Sequence, residues 1–258
     1  MSKKSLVIEE LFQICKRKGD MSFDNSIVKE ICLKHNFKNP FDLTKIDCTK
    51  GLPDMLKDED YFIIHLGEGN HRFVKGINIG FHNFEKIPEN NIYEWKYRKS
   101  ILNEYDTSES NILAVVSNQR IIHDYLYEDI VASPKVYFPH RTKTNMDYYI
   151  GSIRINAEKV QMEIDLTMEY FSNVTIFEAK NGIPLDFAVY QLFNPNYYYN
   201  RIKRKGELNI REISCCYILR EKRNNISMIR IYLYKFEDPN QMKSIKLINC
   251  AQYNLKQR

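Results

Sequence analysis

No apolar run in this 258-residue chain approaches the ~18 residues that a membrane-crossing helix needs. The first residues, Met1-Ser2-Lys3-Lys4, lead into a charged amphipathic stretch with Glu9 and Glu10. A secretory leader is therefore not expected, and a cytoplasmic protein without a membrane partner is. The six cysteines, Cys15, Cys32, Cys48, Cys215, Cys216 and Cys250, contain no C-x-x-C pair, which argues against a zinc module and for reduced thiols in the core. Cys215 and Cys216 are adjacent in a strand-like run, where neighbours alternate faces and cannot easily bridge each other. The histidines His35, His65, His71, His82, His123 and His140 also lack ligand spacing. Gly67-Glu68-Gly69 is too short and too acidic for a phosphate-cradling loop. No internal repeat or low-complexity tract is present.

What remains is a chain with 43% hydrophobic residues, long enough to bury a substantial core. Its net charge of +5 and isoelectric point near 8.7 are compatible with a polyanionic partner. The first ~60 residues predict helices. Leu6, Ile8, Leu11, Ile14 and Cys15 share one face after Ser5, and Ile27, Ile31 and Leu33 follow Asp24-Asn25. The runs 61–66 and 72–75 flank Gly67-Glu68-Gly69-Asn70 as a hairpin. Helices followed by a hairpin resemble a winged-helix module, so residues 1–78 are expected to form a separate N-terminal region that either binds DNA or packs as a plain subdomain. Strands over 213–219, 226–236 and 244–249 complete an expected α/β (α+β) fold, a mixed sheet flanked by helices over residues 79–258.

The chemistry concentrates on Glu178-Ala179-Lys180. This triplet ends the apolar run Val174-Thr175-Ile176-Phe177 and follows the acidic stretch Glu163-Ile164-Asp165-Leu166, with Ser172-Asn173 as the turn between neighbouring strands. Residues two apart on a strand share a face, so Glu178 and Lys180 point one way and Asp165 can converge on them. A solvent-facing ion pair would explain Glu178 and Lys180 equally simply, but the apolar residues on both sides of Glu178 argue for a buried strand, where an unpaired charge is costly. Two carboxylates and the Ala179 carbonyl suit a hard divalent cation, Mg2+, that keeps part of its water shell. Lys180 would hold or deprotonate an attacking water and offset charge in the transition state. Asn181-Gly182-Ile183-Pro184 predicts a turn, and 186–193 a short helix that stops before Pro195.

In Glu163-Ile164-Asp165, Ile176-Phe177-Glu178-Ala179-Lys180 and the residues 186–192, the sequence resembles the type II restriction endonucleases of the PD-(D/E)xK nuclease superfamily. Ile164 stands where the motif name has proline. The resemblance implies a restriction-endonuclease-like core and Mg2+-dependent, sequence-specific hydrolysis of double-stranded DNA that leaves 5′-phosphate ends. A DNA methyltransferase would be its functional partner, and a homodimer would suit palindromic sites. It also implies Asp165, Glu178 and Lys180 as the catalytic set, with Gln191 beside the scissile phosphate. Upstream, Thr107-Ser108-Glu109-Ser110-Asn111 opens an apolar-periodic stretch. Some members place an acid there, so Glu109 is either a ligand of a second metal or its water shell, or an acid favoured by the start of a helix that Ser108 caps.

Basic residues supply the expected DNA contacts. Arg201, Lys203, Arg204 and Lys205 follow Tyr197-Tyr198-Tyr199, and Arg141, Lys143 and Asn145 precede the acidic stretch. A second cluster, Arg220, Lys222 and Arg223, stands at the expected turn Asn224-Asn225. Solvated loops would account for both clusters as well. Three other readings stay open: a structure-specific or repair nuclease of the same fold, a glycosidase using Asp165 and Glu178, and a non-catalytic DNA-binding protein.

Overall fold

A computed structural model describes residues 2–98, 100–101, 108–223 and 226–257. Thr107 and the expected turn at Asn224 and Asn225 lie outside the described residues, as do the side chains of Lys222 and Arg223. The fold is mixed α/β. In chain order the strands are β1 (Ser22–Asp24), β2 (Tyr61–Gly67), β3 (Asn70–Lys75), β4 (Phe81–Asn83), β5 (Ile92–Tyr97), β6 (Lys135–Tyr137) and β7 (His140–Ile150). They continue with β8 (Ile153–Ile164), β9 (Leu166–Tyr170), β10 (Asn173–Asn181), β11 (Asp186–Ala188), β12 (Glu212–Arg223), β13 (Ile226–Phe236) and β14 (Ile245–Gln257). No helix among the described residues is long and apolar enough to cross a membrane.

The main sheet has the order β5-β14-β13-β12-β10-β9-β6. β10 runs parallel to β12, and β14 parallel to β5; the other pairings are antiparallel. Central strands covered on both faces read as near-continuous apolar runs rather than alternating ones, which is why Val174 to Ala179 are all buried. One face carries Val174 and Ile176 with Cys215, Tyr217 and Leu219, packed against Leu192 and Phe193 of the helix Tyr190–Arg204. The other carries Phe177 and Ala179 with Cys216 and Ile218, packed against the helices Glu109–Asn118 and Ile121–Tyr127. The two adjacent cysteines do alternate faces, and all six are unpaired.

The N-terminal residues build helices Lys3–Lys18 and Asn25–Lys34, a short helix Asp54–Asp58, and an antiparallel sheet of order β1-β3-β2. Their core is continuous with that of the main sheet: Phe12, Phe62 and Phe73 belong to the same cluster as Tyr148 and Ile176. The β2–β3 hairpin tip does not stand free. It lies against a bulge in the long β7–β8 hairpin, where Lys159 takes φ +51° and the β7 register shifts between Thr144 and Met146. Lys159 pairs with Glu68 at 2.6 Å, and its N–H donates to Asn145 Oδ1 at 2.9 Å. Arg201 donates to Asn145 O at 3.1 Å and to the Thr144 hydroxyl.

Two expected elements are corrected. The stretch 163–166 is not one strand: β8 ends at Ile164, the chain bends at Asp165, and β9 begins at Leu166. The stretch 186–193 is not a short helix before Pro195. Residues 186–188 pair with β4 as β11, and the helix runs from Tyr190 to Arg204 with Pro195 inside it. Proline removes one helical hydrogen bond and crowds the preceding turn. Burial of Leu192, Phe193, Pro195, Asn196 and Tyr197 on one stripe offsets that cost.

Gly67, at φ +85°, is the contact point of the hairpin tip: a Cβ there would sit 1.7 Å from Glu158 O. Gly67→Ala is therefore expected to destabilise the fold by roughly 2–4 kcal/mol, through a backbone clash added to left-handed strain. Gly19→Ala, at φ +69° with open space around it, should cost only about 1 kcal/mol. Urea denaturation of the two variants checks the difference; equal losses would mean that the hairpin tip can move away from β8.

Candidate active site

The site forms where two neighbouring strands differ in length. β9 and β10 are joined through Phe171 and Ser172, both at positive φ (49° and 65°), the conformation of a tight hairpin turn that keeps the strands in register. Their ladder ends at the pair Phe177–Leu166. β10 continues along β12 to Asn181, so Ala179 presents its N–H to an edge that β9 has left. The Asp165 carboxylate takes that position, with Oδ2 accepting from Ala179 N at 3.3 Å. The N–H and C=O of one strand residue point to the same edge, so the Ala179 carbonyl faces the Asp165 side.

Glu178 is 9% exposed. Its Oε1 lies 3.2 Å from Lys180 Nζ and accepts from Gln191 Nε2 at 3.1 Å. Gln191 is held in turn by Tyr217, whose hydroxyl donates to Gln191 Oε1 at 3.2 Å. Lys180 also pairs with Glu109 Oε2 at 2.9 Å. Glu109 opens the helix Glu109–Asn118, which Ser108 caps by accepting from Asn111 N at 3.3 Å. Glu109 occupies the first turn, where the helix dipole favours an acid, and its carboxylate pairs with Lys180. Beneath that helix the Arg220 guanidinium, 8% exposed, donates to Asn111 Oδ1 at 2.9 Å and Ser227 Oγ at 3.3 Å, and burial pulls its pKa down. Arg220 is a strut under the helix that carries Glu109, not part of an open basic loop.

The electrostatics match this crowding. Burial, and then the neighbouring Asp165, push Glu178 up to about 8. Burial also raises Asp165, against the Ala179 N–H and Lys180, which lower it. Burial alone would pull Lys180 down, but Glu178 and Glu109 more than reverse this and hold the ammonium above its ordinary range. Buried carboxylates respond this way when too little positive charge stands beside them. A hard divalent cation would supply it, and the donor set of Asp165, Glu178 and the Ala179 carbonyl fits an oxygen-preferring ion that retains water. Among the described residues no three His, Cys, Asp or Glu side chains form a ready cage, so water and substrate oxygens would have to complete the shell.

The expected DNA contacts divide. Arg201, Lys203, Arg204 and Lys205 lie at the far end of the helix that brings Gln191 to the site, about 15–20 Å along its axis. Each is engaged within the chain: Arg201 on Asn145, Lys203 on Arg211 O at 2.6 Å, Arg204 on Asn240 Oδ1 at 2.9 Å, and Lys205 on Glu207 at 3.1 Å. Nearness in sequence did not carry over to space, because a continuous helix moves its end away from its start. Asn145 holds the β7–β8 bulge with its side chain. Arg141 and Lys143 do lie at the site end of β7, opposite Glu163 and Gln161, with Arg141 paired to Glu163 at 3.1 Å.

Three residues at the site escaped the sequence reading. Tyr217 falls in a strand run whose alternation could have placed it on the Glu178 face. Tyr190 adjoins Gln191 and its hydroxyl donates to Asp47 Oδ1 at 3.3 Å. Asp47 belongs to a loop of the N-terminal region, and nothing in its sequence neighbourhood signals the contact.

A family model described as Domain of unknown function (DUF6997) matches residues 76–254, and one described as Domain of unknown function (DUF6996) matches residues 5–73. No curated protein and no solved structure matches the chain.

Between its ordinary value of 4.5 and about 8, Glu178 is protonated in the folded chain and ionised in the unfolded one. Stability from this group is fully present below pH 4.5 and is lost as pH rises to about 8, at up to ~1.4 kcal/mol per unit. Glu178→Gln is thus expected to be more stable than the native chain at pH 9, with the advantage shrinking below pH 5. Urea midpoints at the two pH values, without divalent cations, measure this; a pH-independent difference would show that Glu178 is not a strained buried acid.

Proposed function

We propose that this chain, which belongs to the DUF6997 family, is a Mg2+-dependent nuclease with a restriction-endonuclease-like core, a type II restriction endonuclease that cuts double-stranded DNA. The observation that carries this reading is convergence. Glu109, Asp165, Glu178, Lys180 and Gln191 come from a helix start, a strand break, a strand end and a second helix, and they meet around the end of β10. A glycosidase would use the two carboxylates but has no role for an ammonium held between Glu178 and Glu109. A surface ion pair would not be buried.

Asp165, Glu178 and the Ala179 carbonyl would hold the cation. When bound, it supplies Lewis-acid stabilisation of a non-bridging phosphate oxygen. Lys180, held protonated by two acids, donates to the attacking water and offsets charge building on phosphorus; its raised pKa makes it a donor rather than a base. Gln191 keeps Glu178 oriented. In-line attack by water would form the new P–O bond and break the P–O3′ bond, with the water's proton lost to solvent and a solvent proton taken up by O3′, leaving a 5′-phosphate and a 3′-hydroxyl. Double-stranded DNA would approach over the Arg141 and Lys143 end of β7 and over Lys45 and Lys50, which are exposed on the loop that carries Asp47. A cytoplasmic protein, a twofold dimer and a partner methyltransferase complete the proposal.

A second reading, a nuclease for nicked or branched DNA, would use the same site residues. The helices and hairpin of the N-terminal region would suit a winged-helix-like DNA-binding module. Yet Asp54 and Asp58 lie on its third helix, Glu59 and Asp60 follow at once, and its hairpin tip is spent on β8. Acids at that position oppose a phosphate-lined groove, so this helix is not expected to read DNA bases.

Purified protein incubated with unmethylated phage and plasmid DNA should yield discrete fragments in Mg2+ and none in EDTA. Asp165→Ala and Glu178→Ala should abolish the fragments while keeping the fold, and Lys180→Ala should bind DNA with little change but lose at least ~100-fold in cleavage rate. Sequenced ends sharing one motif establish a restriction enzyme, nicks or smears move the assignment to the structure-specific reading, and intact DNA defeats both. Lys45→Gln with Lys50→Gln should reduce the slope of log affinity against log salt by about 2, while Lys203→Gln with Lys205→Gln leaves it unchanged. The reverse pattern would return DNA binding to the far end of the helix.

A further inference from the structure

The helix that carries Gln191 begins without a side-chain cap. Its entry segment, residues 186–190, is fixed instead by contacts far away in sequence. Asp186 is 5% exposed, and its carboxylate accepts from Thr49 N at 2.7 Å and from the Thr49 hydroxyl. Ala188 N donates to Asp47 O at 2.8 Å, and Val189 N donates to Gly80 O at 2.9 Å. The Tyr190 hydroxyl donates to Asp47 Oδ1 at 3.3 Å, while its ring meets His65 of β2 edge-on, 6.1 Å between centroids. The next residue, Gln191, touches Glu178. From Asp47 to Glu178 there is thus a continuous chain of contacts, with residues 47 and 49 inside the 5–73 match and residues 186–191 inside the 76–254 match.

We infer that the loop of residues 44–50 in the N-terminal region is a working part of the active site: Asp47, through Tyr190, is a positioning residue that sets Gln191 against Glu178. A plain docking contact would need only the Thr49–Asp186 and backbone bonds. The Asp47–Tyr190 bond lies one residue from Gln191 and fixes the first turn of its helix in rotation about the axis. Because hydrogen bonds from Gln191 constrain the same carboxylate that would hold the cation, a small rotation of that turn changes the geometry where the substrate phosphate is bound. The inference rests on the nuclease reading for its catalytic consequence and on the contacts alone for its structural one.

The test uses the full chain with Asp47→Ala, Asp47→Asn, Tyr190→Phe and the double variant Asp47→Ala with Tyr190→Phe. Cleavage of the phage DNA under single-turnover conditions should fall about tenfold in Asp47→Ala and in Tyr190→Phe, with DNA affinity within about twofold of native. The double variant should be no slower than either single one, and Asp47→Asn, which keeps an acceptor for the Tyr190 hydroxyl, should recover most of the rate. Hydrogen exchange supplies a readout without activity: amides of residues 190–193 should exchange faster in Asp47→Ala and Tyr190→Phe, with the unfolding midpoint within a few degrees of native. Unchanged rate and unchanged exchange would overturn the inference. So would a loss in Asp47→Ala that Asp47→Asn does not recover, since the carboxylate would then act by its charge. A native protein that leaves DNA intact while the exchange pattern appears as expected would defeat the nuclease reading and keep the positioning contact.

Discussion

β9 begins only at Leu166 while its antiparallel partner β10 runs on past that point to Asn181, and the candidate site depends on that mismatch. An unpaired strand edge inside a protein needs partners for its N–H and C=O groups. Here the Asp165 side chain supplies one of them, which brings a carboxylate to the edge of a buried strand. The remaining geometry follows. Glu178 and Lys180 emerge on one face just past the last rung of the ladder, and the start of the helix Glu109–Asn118 reaches over from the other face. Had β9 continued, backbone would fill the place of Asp165 and no acid could reach Ala179.

The arrangement is costly to the fold. Glu109 and Glu178 both pair with the Lys180 ammonium while Asp165 stands at the neighbouring strand edge, and burial pushes both Asp165 and Glu178 up. Nothing in the architecture demands this; apolar residues would pack there at lower cost. That cluster works against stability yet is held in place by Gln191, Tyr217 and the helix over Arg220, a pattern that marks a candidate functional site. The supporting residues matter as much as the acids, because each removes one freedom from a side chain that would otherwise relax toward solvent.

Both regions of the chain contribute. Besides the shared core, the N-terminal region meets the rest through Gly67 and Glu68 on the β7–β8 bulge and through the loop of residues 44–50 on β11. The first attachment lies on the strand that leads into Asp165, and the second on the segment that leads into Gln191. A shift of the N-terminal region would therefore be passed to Asp165 and Gln191 through packed, hydrogen-bonded elements.

Much of the site was legible in the sequence because its central part is local. Glu178-Ala179-Lys180 lies on a single strand, the hairpin partner lies just before it, and period-two geometry decides which residues share a face. The apolar residues around Glu178 already announced its burial, and Ser108 announced the helix that presents Glu109. The break at Asp165 was not legible, since Glu163-Ile164-Asp165-Leu166 reads as one extended run and only the pairing of β8 with β7 and of β9 with β10 divides it. The passage of a helix through Pro195 was hidden as well, because local propensity forbids it and tertiary burial alone offsets the cost. The basic run after that helix seemed close to the site in sequence, and the helix carried it away. By itself the sequence determined the strand carrying Glu178-Ala179-Lys180 and the helix start at Ser108, each fixed by neighbours a few residues apart. Only the tertiary structure decided that Asp47, Tyr190 and Tyr217 join them, because those contacts depend on how distant segments pack, which no local pattern encodes.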